Sequence, residues 1–212
     1  MRPELEAVRA LMRARGWDAV VLTGGDPHSS EYPAPRWKQV EWVSGFTGEA
    51  GEVVITADHA GLWTDTRYFI QAEKQLEGTG FTLHKTRVPG EVLIPEWLSV
   101  QDFGADEEGP VVAVDGLAMS VGEAEGIVAA FSGKVQIVSA PDFLSPLWKG
   151  RPEIPATPII TLGVDITGGS RQERIASLRE ALSDMECDAM LVTALDDIAW
   201  LLCVRGSDVE YN

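Results

Sequence analysis

The sequence predicts an α/β protein: a mixed sheet flanked by helices, followed by the start of a second, similar domain. Three observations support this prediction. A helical apolar pattern at residues 5–12 is followed at once by a buried-type apolar run at 19–22. Short apolar runs bounded by turn residues then alternate with helical segments as far as residue 140. A proline-rich stretch separates this region from a second helical pattern at 170–185.

The first 140 residues alternate between helices and strands. Pro3 suits the first turn of the opening helix, Gly16 suits its end, and Leu5, Val8 and Met12 share its apolar face. Strands are predicted at 19–22, 40–43, 52–56, 61–64, near 83, at 111–114 and at 135–138, and helices at 67–76, 92–98 and 121–131. These elements are enough for one domain, which we assign to residues 1–143.

The composition changes after residue 140. Five prolines fall within eighteen residues, at positions 141, 146, 152, 155 and 158. Because repeated proline forbids a continuous helix or a central strand, we predict a stiff, partly extended linker at 144–158. A strand at 161–166, a helix at 170–185 and a strand at 198–204 then begin a second domain over 159–212.

The second domain resembles the start of the first. A shift of 170 positions superposes identical residues, Asp18, Ala19 and Thr23 on Asp188, Ala189 and Thr193, and a shift of 158 places Trp42 on Trp200. A unit of helix, strand, loop and strand therefore occurs twice. About 54 residues cannot bury a mixed sheet on both faces. We therefore expect the chain to be the N-terminal part of a longer protein, or to pair with another chain.

Charge and composition exclude several classes of function. The chain has 17 basic and 33 acidic residues, a net charge of −16, which opposes binding to nucleic acid or to an anionic membrane. No apolar run approaches the roughly 20 residues of a membrane span, and the N-terminus lacks the apolar core of a secretory signal. Two cysteines exclude a disulfide scaffold. These features favour a cytoplasmic protein.

No pattern of metal-ligating or nucleophilic residues stands out. The three histidines are His28, His59 and His84, with neither HExxH nor a pair four residues apart. Asp26 and His28 could form a ligand pair, but a turn with local capping is the preferred interpretation. GxSxG is absent, and the glycines of 45–51 match no phosphate-binding loop. We predict no catalytic residue, no metal and no cofactor in this segment.

Arg67 is the strongest candidate for ligand binding. It follows a predicted strand in the segment LWTDTRYF, close to Asp65 and Tyr68. Asp65 suits a helix cap, but a guanidinium near the start of a helix needs an anionic or carbonyl partner. Arg67 therefore forms either a structural ion pair or a contact with a ligand carboxylate or peptide carbonyl.

Five segments together resemble a known family. They are HSSEYPAP at 28–35, EWVSGFTGEAG at 41–51, LWTDTRYFIQAEKQL at 62–76, SPLWKGRPEIP at 145–155 and VTALDDIAWLLCVRGSDVEYN at 192–212. Their order and content are similar to the first domain, and the passage into the second, of the cytosolic three-domain Xaa-Pro aminopeptidases (aminopeptidase P). The resemblance covers essentially the whole chain.

The resemblance implies two creatinase-like domains followed by a catalytic domain of pita-bread fold. In the family, that last domain binds two divalent metal ions, usually manganese, and removes the N-terminal residue from peptides with proline in second position. The chain would then be a non-catalytic N-terminal portion that shapes substrate access, binds peptide and has no activity alone. A cytoplasmic homodimer is the expected form of the longer enzyme.

Site residues follow from the same resemblance. Arg67 matches an arginine that helps to bind the peptide, although Thr66 stands where the family commonly has glycine. Asp65 and Tyr68 are expected to support it. A second motif contains His28, Glu31 and Tyr32, which we expect to brace the domain, and Arg205 and Asp208 are expected to form an internal ion pair.

Two alternatives remain open. The chain could be a stand-alone creatinase-fold module for binding or oligomerisation, without catalysis. A creatinase or related C–N hydrolase fits less well, because those enzymes are usually two-domain and do not need a duplicated first unit. The sequence also leaves open whether Arg67 acts in its own or in a neighbouring subunit's active site.

Overall fold

A computed structural model describes residues 1–209 of the chain. It divides into two compact units, residues 1–153 and 154–212. The last three residues of the predicted second domain, 210–212, lie outside the described residues. Within residues 1–209 no helix is both long and apolar enough to cross a bilayer.

The first unit contains a six-stranded sheet and five α-helices. The strands are β1 (Ala19–Leu22), β2 (Glu52–Thr56), β3 (Ala60–Thr64), β4 (Thr82–Lys85), β5 (Val111–Val114) and β6 (Gln136–Ser139). The helices are α1 (Pro3–Arg15), α2 (Gln39–Ser44), α3 (Phe69–Gln75), α4 (Ile94–Ser99) and α5 (Val121–Ala130). A 3₁₀ turn, Pro35–Trp37, precedes α2.

The strand order is β4-β3-β2-β1-β5-β6, and the sheet is mixed. β2 is antiparallel to both β1 and β3, whereas β1, β5 and β6 are parallel to one another and β3 is parallel to β4. Five strands therefore end at the same edge of the sheet at which β2 begins. Loops that follow β1, β3 and β5 meet at this edge, which is where open α/β sheets usually bind ligands. The predicted fold class, a mixed sheet flanked by helices, is confirmed.

Both faces of the sheet are buried. In β1, Val20 and Leu22 join the core beneath α1, α2 and α3, whereas Ala19 and Val21 join the core on the opposite face. The alternation follows from the two-residue period of a strand. Because both faces are covered, β1 appears in the sequence as a continuous apolar run.

The predictions for residues 40–43 and for the start of helix α3 are wrong. Residues 40–43, predicted as a strand, belong to helix α2, where Val40 and Val43 lie three residues apart and both enter the core. Gly45, with φ +80°, ends this helix in the left-handed conformation. Helix α3 begins at Phe69 instead of Arg67, because Asp65 holds residues 65–68 in a turn.

Within the predicted linker, residues 144–150 form consecutive turns, whereas residues 151–158 have no regular secondary structure. Leu144 is fully buried in the core of the first unit. Trp148 stacks on Trp42 with ring centroids 5.2 Å apart. These contacts pack the turns against the first unit.

The second unit contains β7 (Ile160–Thr161), α6 (Val164–Thr167), α7 (Arg171–Asp184), α8 (Leu195–Leu202) and β8 (Val204–Arg205). α7 and α8 correspond to α1 and α2 in the internal repeat.

Two strands predicted in this unit are largely absent. The strand predicted at 161–166 is only the two-residue β7 followed by α6, and the strand predicted at 198–204 is mostly α8. Among the described residues no ion pair joins Arg205 and Asp208, contrary to the prediction; Asp208 Oδ1 instead accepts a hydrogen bond from the backbone N–H of Thr157 at 2.8 Å.

The repeat is least complete at residues 189–192, which correspond to β1. They form no strand, and Leu191 is 87% exposed. Of the described residues 154–209, Cys203 alone is buried. Since a strand needs a paired neighbour, the absence of counterparts to β2 and β5 between residues 154 and 209 explains the irregular backbone.

Candidate functional site

A cleft of about 320 Å³ lies at the sheet edge where the loops after β1, β3 and β5 meet. Four parts of the first unit line it: the loop after β1, the segment that leads into β2, the turn after β3, and the region after β5. The lining residues are Thr23, Gly24, Gly25, Ser29, Ser30, Glu31, Glu49, Ala50, Glu52, Arg67, Ala118 and Glu123. The sheet topology thus brings together residues that are almost a hundred positions apart.

Close backbone contacts shape one wall of this cleft. The hydroxyl of Thr23, just after β1, donates to the carbonyl oxygen of Ala118 at 2.9 Å and so joins the loops after β1 and β5. A Cβ at Gly24 would lie 2.9 Å from the carbonyl oxygen of Gly51. Glycine is therefore required at position 24 for these two backbone segments to approach each other.

Arg67 is held by Asp65, two residues earlier. Asp65 Oδ1 accepts hydrogen bonds from the backbone N–H and Nε of Arg67, each at 3.0 Å, and Oδ2 accepts one from Nη2 at 2.8 Å. The Asp65 side chain is 7% exposed, whereas that of Arg67 is 62% exposed. The hydrogen bonds from Arg67 lower the pKa of Asp65 to about 2, and the same pair raises the pKa of Arg67.

Tyr68 supports the same guanidinium from a second direction. The Arg67 Cζ atom lies 5.2 Å from the centre of the Tyr68 ring, a cation–π arrangement. Tyr68 in turn packs edge-on against the buried Phe46, with centroids 5.8 Å apart. An ion pair and an aromatic ring anchored in the core therefore restrain an exposed arginine. Its Nη1 makes no hydrogen bond within residues 1–209.

The cleft is also acidic, which the sequence did not reveal. Glu31, Glu49, Glu52 and Glu123 all line it. Burial raises the pKa of Glu52, and the nearby charge of Glu123 raises it further. A glutamate at the start of an apolar strand after a glycine-rich loop is a weak sequence signal. Its proximity to Glu123 depends on the sheet order.

Of the other predicted residues His28, Glu31 and Tyr32, only Glu31 lies at the cleft. Glu31 lines the same cleft as Arg67, although the resemblance connects it with His28 and Tyr32. His28 is exposed in a turn where its backbone N–H donates to Asp26 Oδ1 at 2.9 Å, and Tyr32 is half-buried. Neither His28 nor Tyr32 lines the cleft. Their bracing role stays a prediction.

Potential metal ligands do not form a suitable cluster in the described part of the chain. Residues 1–209 contain no group of three or more His, Cys, Asp or Glu side chains suited to a metal ion. His59 and His84 approach each other, with 3.1 Å between their Nε2 atoms, a hydrogen-bond distance. Two imidazoles that face each other in this way do not supply the ligand set of a dinuclear metal site.

The sequence profile of the Creatinase/Prolidase N-terminal domain matches residues 4–147, and a second profile of the same description matches residues 150–212. A probable Xaa-Pro aminopeptidase P from Laccaria bicolor is 38% identical over 213 residues, covering 98% of this chain and 32% of that protein. Xaa-Pro aminopeptidase app-1 from Caenorhabditis elegans is 36% identical, covering 98% and 33%. The chain therefore spans about one third of the length of the curated relatives it matches.

Solved structures agree with these matches. The crystal structure of X-prolyl aminopeptidase from Caenorhabditis elegans, described as a cytosolic enzyme with a di-nuclear active site, superposes with a TM-score of 0.82. The sequences are 34% identical, and the match covers 99% of this chain and 35% of that one. An aminopeptidase from Streptococcus pyogenes, 20% identical with a TM-score of 0.51, shares the fold. The chain belongs to the Creatinase/Prolidase N-terminal domain family.

Proposed function

We propose that this chain is the non-catalytic N-terminal portion of an Xaa-Pro aminopeptidase, which removes the N-terminal residue from peptides with proline in second position. Its role is to shape substrate access and to bind peptide through Arg67. The observation that carries this proposal is the guanidinium fixed by Asp65 and Tyr68 at a cleft on the ligand-binding edge of the sheet. The relatives, named Xaa-Pro aminopeptidases, supply the substrate class.

The arrangement suits a peptide carbonyl. A guanidinium presents several N–H donors in a fixed plane, and Asp65 uses only Nε and Nη2. Because the side chain is already held in one orientation, less conformational entropy is lost when a ligand binds. In this proposal Arg67 forms the ion pair with Asp65 and also contacts the ligand, the two roles that the sequence left as alternatives.

The hydrolytic chemistry belongs, in this proposal, to a catalytic domain outside the chain. That domain would hold two divalent metal ions, which we expect to be manganese, and they would activate the water that attacks the peptide bond. We further propose that the longer enzyme is a cytoplasmic homodimer. Arg67 could then serve the active site of its own or of the neighbouring subunit.

An assay of the 212-residue chain on peptides with proline in second position tests whether the chain hydrolyses peptides without a catalytic domain. With and without added Mn²⁺, we expect no hydrolysis. The same chain joined to a catalytic domain of the family should be active. Turnover by the 212 residues alone that a chelator abolishes would contradict the proposal.

One observation favours the second candidate, a stand-alone binding module. Residues 1–153 form a unit with a complete six-stranded sheet, two buried faces and the cleft. Such a unit could bind peptide without any enzyme attached. The two candidates differ in whether mutation of the cleft changes catalysis in a longer protein, or only binding.

A further inference from the structure

The cleft that contains Arg67 is acidic even though it contains an arginine. Four glutamates line it, and Arg67 is the one basic residue among the described lining residues. Asp65, which is not counted among the four, neutralises that arginine through a two-pronged ion pair. The guanidinium therefore does not offset the glutamates, and the potential in the cleft is negative.

This charge balance distinguishes two kinds of ligand. An arginine in isolation would be a good partner for a carboxylate. Here a ligand carboxylate would also face Glu49 and Glu52, and like charges that close together repel each other. The remaining donors of Arg67 suit a neutral carbonyl oxygen better than a ligand carboxylate.

Glu52 is the member of this group that most needs a partner. No hydrogen bond or ion pair reaches its carboxyl from residues 1–209, although burial raises its pKa and the charge of Glu123 raises it further. Glu123 is fixed opposite it, because its Oε2 accepts the backbone N–H of Ser120 at 2.6 Å in the capping box of α5. A cation placed against both would stabilise two carboxylates that now repel each other.

A second observation points to a missing ligand group. Ser30 lines the cleft, and its buried hydroxyl has no hydrogen-bond partner in the described chain. A buried hydroxyl without a partner is unfavourable, because it has lost its hydrogen bonds to water and gained none in the protein. The cleft thus combines a fixed carbonyl-binding group, a pair of unneutralised carboxylates and an unpaired hydroxyl.

We propose that this cleft selects peptides with a basic side chain, which lies against Glu52 and Glu123 while Arg67 holds a backbone carbonyl, and that it rejects ligand carboxylates. The inference rests on the proposed peptide-binding function and adds a substrate class to it. Lysine and arginine side chains share the required chemistry. Glutamate in the same place would be repelled.

The test uses the 212-residue chain and three peptide amides, Ala-Pro-Lys, Ala-Pro-norleucine and Ala-Pro-Glu, in calorimetric titrations at low ionic strength. We expect the lysine peptide to bind roughly 10-fold more tightly than the norleucine peptide, the gain typical of one charged contact, and the glutamate peptide to bind most weakly. Added salt should reduce this preference.

In the double variant Glu52→Gln/Glu123→Gln, the lysine peptide should bind no more tightly than the norleucine peptide. Glutamine keeps the capping box of α5. Glu125→Gln removes one exposed carboxylate of the same helix outside the cleft, and this control should keep the preference. Circular dichroism melts check that each variant is folded.

Two results would overturn the inference while leaving peptide binding intact: equal affinity of the wild type for the lysine and norleucine peptides, or an unchanged preference in the folded double variant. Failure of all three peptides to bind would overturn the proposed function and this inference with it. Weaker binding of all three by Arg67→Ala would identify the peptide-binding role separately from the charge selection.

Discussion

The carboxylate of Asp65 accepts hydrogen bonds from three nitrogen atoms of Arg67: the backbone N–H, Nε and Nη2. Since the two residues lie only two positions apart, the pair forms within one turn and requires no distant partner. The turn itself lies directly after β3, at the edge of the sheet where the cleft lies. The hydrogen bonds to Asp65 thus hold the guanidinium in one orientation, and strand β3 determines its position at the edge of the sheet.

Replacement of Arg67 by alanine should lower kcat/KM by roughly 10-fold or more when the chain is part of an active Xaa-Pro aminopeptidase. The reason is the loss of a charge-assisted contact with the peptide. Arg13→Ala removes an exposed arginine of α1 that lies outside the cleft, and should have no effect. Unchanged kinetics in a folded Arg67→Ala variant would leave Arg67 with a structural role only.

Asp65→Asn should raise KM more than it lowers kcat. An amide accepts fewer and weaker hydrogen bonds from the guanidinium, so Arg67 remains present but less well oriented. In an Arg67→Ala background the same change should have little further effect, because the residue it orients is gone. Strict additivity of the two changes would show that Asp65 acts independently of Arg67.

The histidine pair predicts a loss of stability in mild acid. Burial lowers the pKa of His84 to about 4, helped by the charge of His59, and burial also lowers the pKa of His59 despite the opposing effect of Asp58. Both folded pKa values lie below the ordinary value of 6.5, so the unfolded chain binds more protons. This contribution to stability is complete above about pH 6.5 and falls as the pH drops towards about 4.

Melting temperatures of the wild type and of His84→Phe between about pH 7.5 and 4.5 measure this effect. Phenylalanine cannot titrate, and it can keep the stacking on Trp63, where the ring centroids now lie 3.8 Å apart. The variant should therefore lose less stability on acidification than the wild type. Parallel pH curves for the two proteins would contradict the assignment.

Truncation of a buried leucine should lower stability far more than truncation of an exposed isoleucine. Leu62, fully buried in β3, contacts the core beneath the helices, and Leu62→Ala should lower the free energy of unfolding by about 2–5 kcal/mol. Ile70 on α3 is 72% exposed, and Ile70→Ala should change it by less than about 0.5 kcal/mol. Chemical denaturation measures both. Equal losses would show that the core is not organised as described.

The sequence alone was sufficient to place an element where one local pattern determines its structure. β2 lies where it was expected, at 52–56, and β1 at 19–22, because apolar runs between turn residues define buried strands. Residues 40–43 fit both periods: Val40 and Val43 can share a helix face, and packing against α1 decided in favour of the helix.

The parts that the sequence did not reveal depend on long-range arrangement. Glu52 and Glu123 meet only because β2 begins at the edge where β5 ends, which requires the strand order. In the second unit, residues 189–192 match β1 in sequence but have no neighbouring strand to pair with among the residues described. Their apolar character alone could not show this.

Calorimetric titration of an Ala-Pro-Lys amide into the wild-type chain and into Arg67→Ala measures whether Arg67 binds peptide. We expect measurable binding by the wild type and an affinity at least about 10-fold lower for the variant, provided that its melting temperature is unchanged. Equal affinities for the two folded proteins would contradict a peptide-binding role for Arg67.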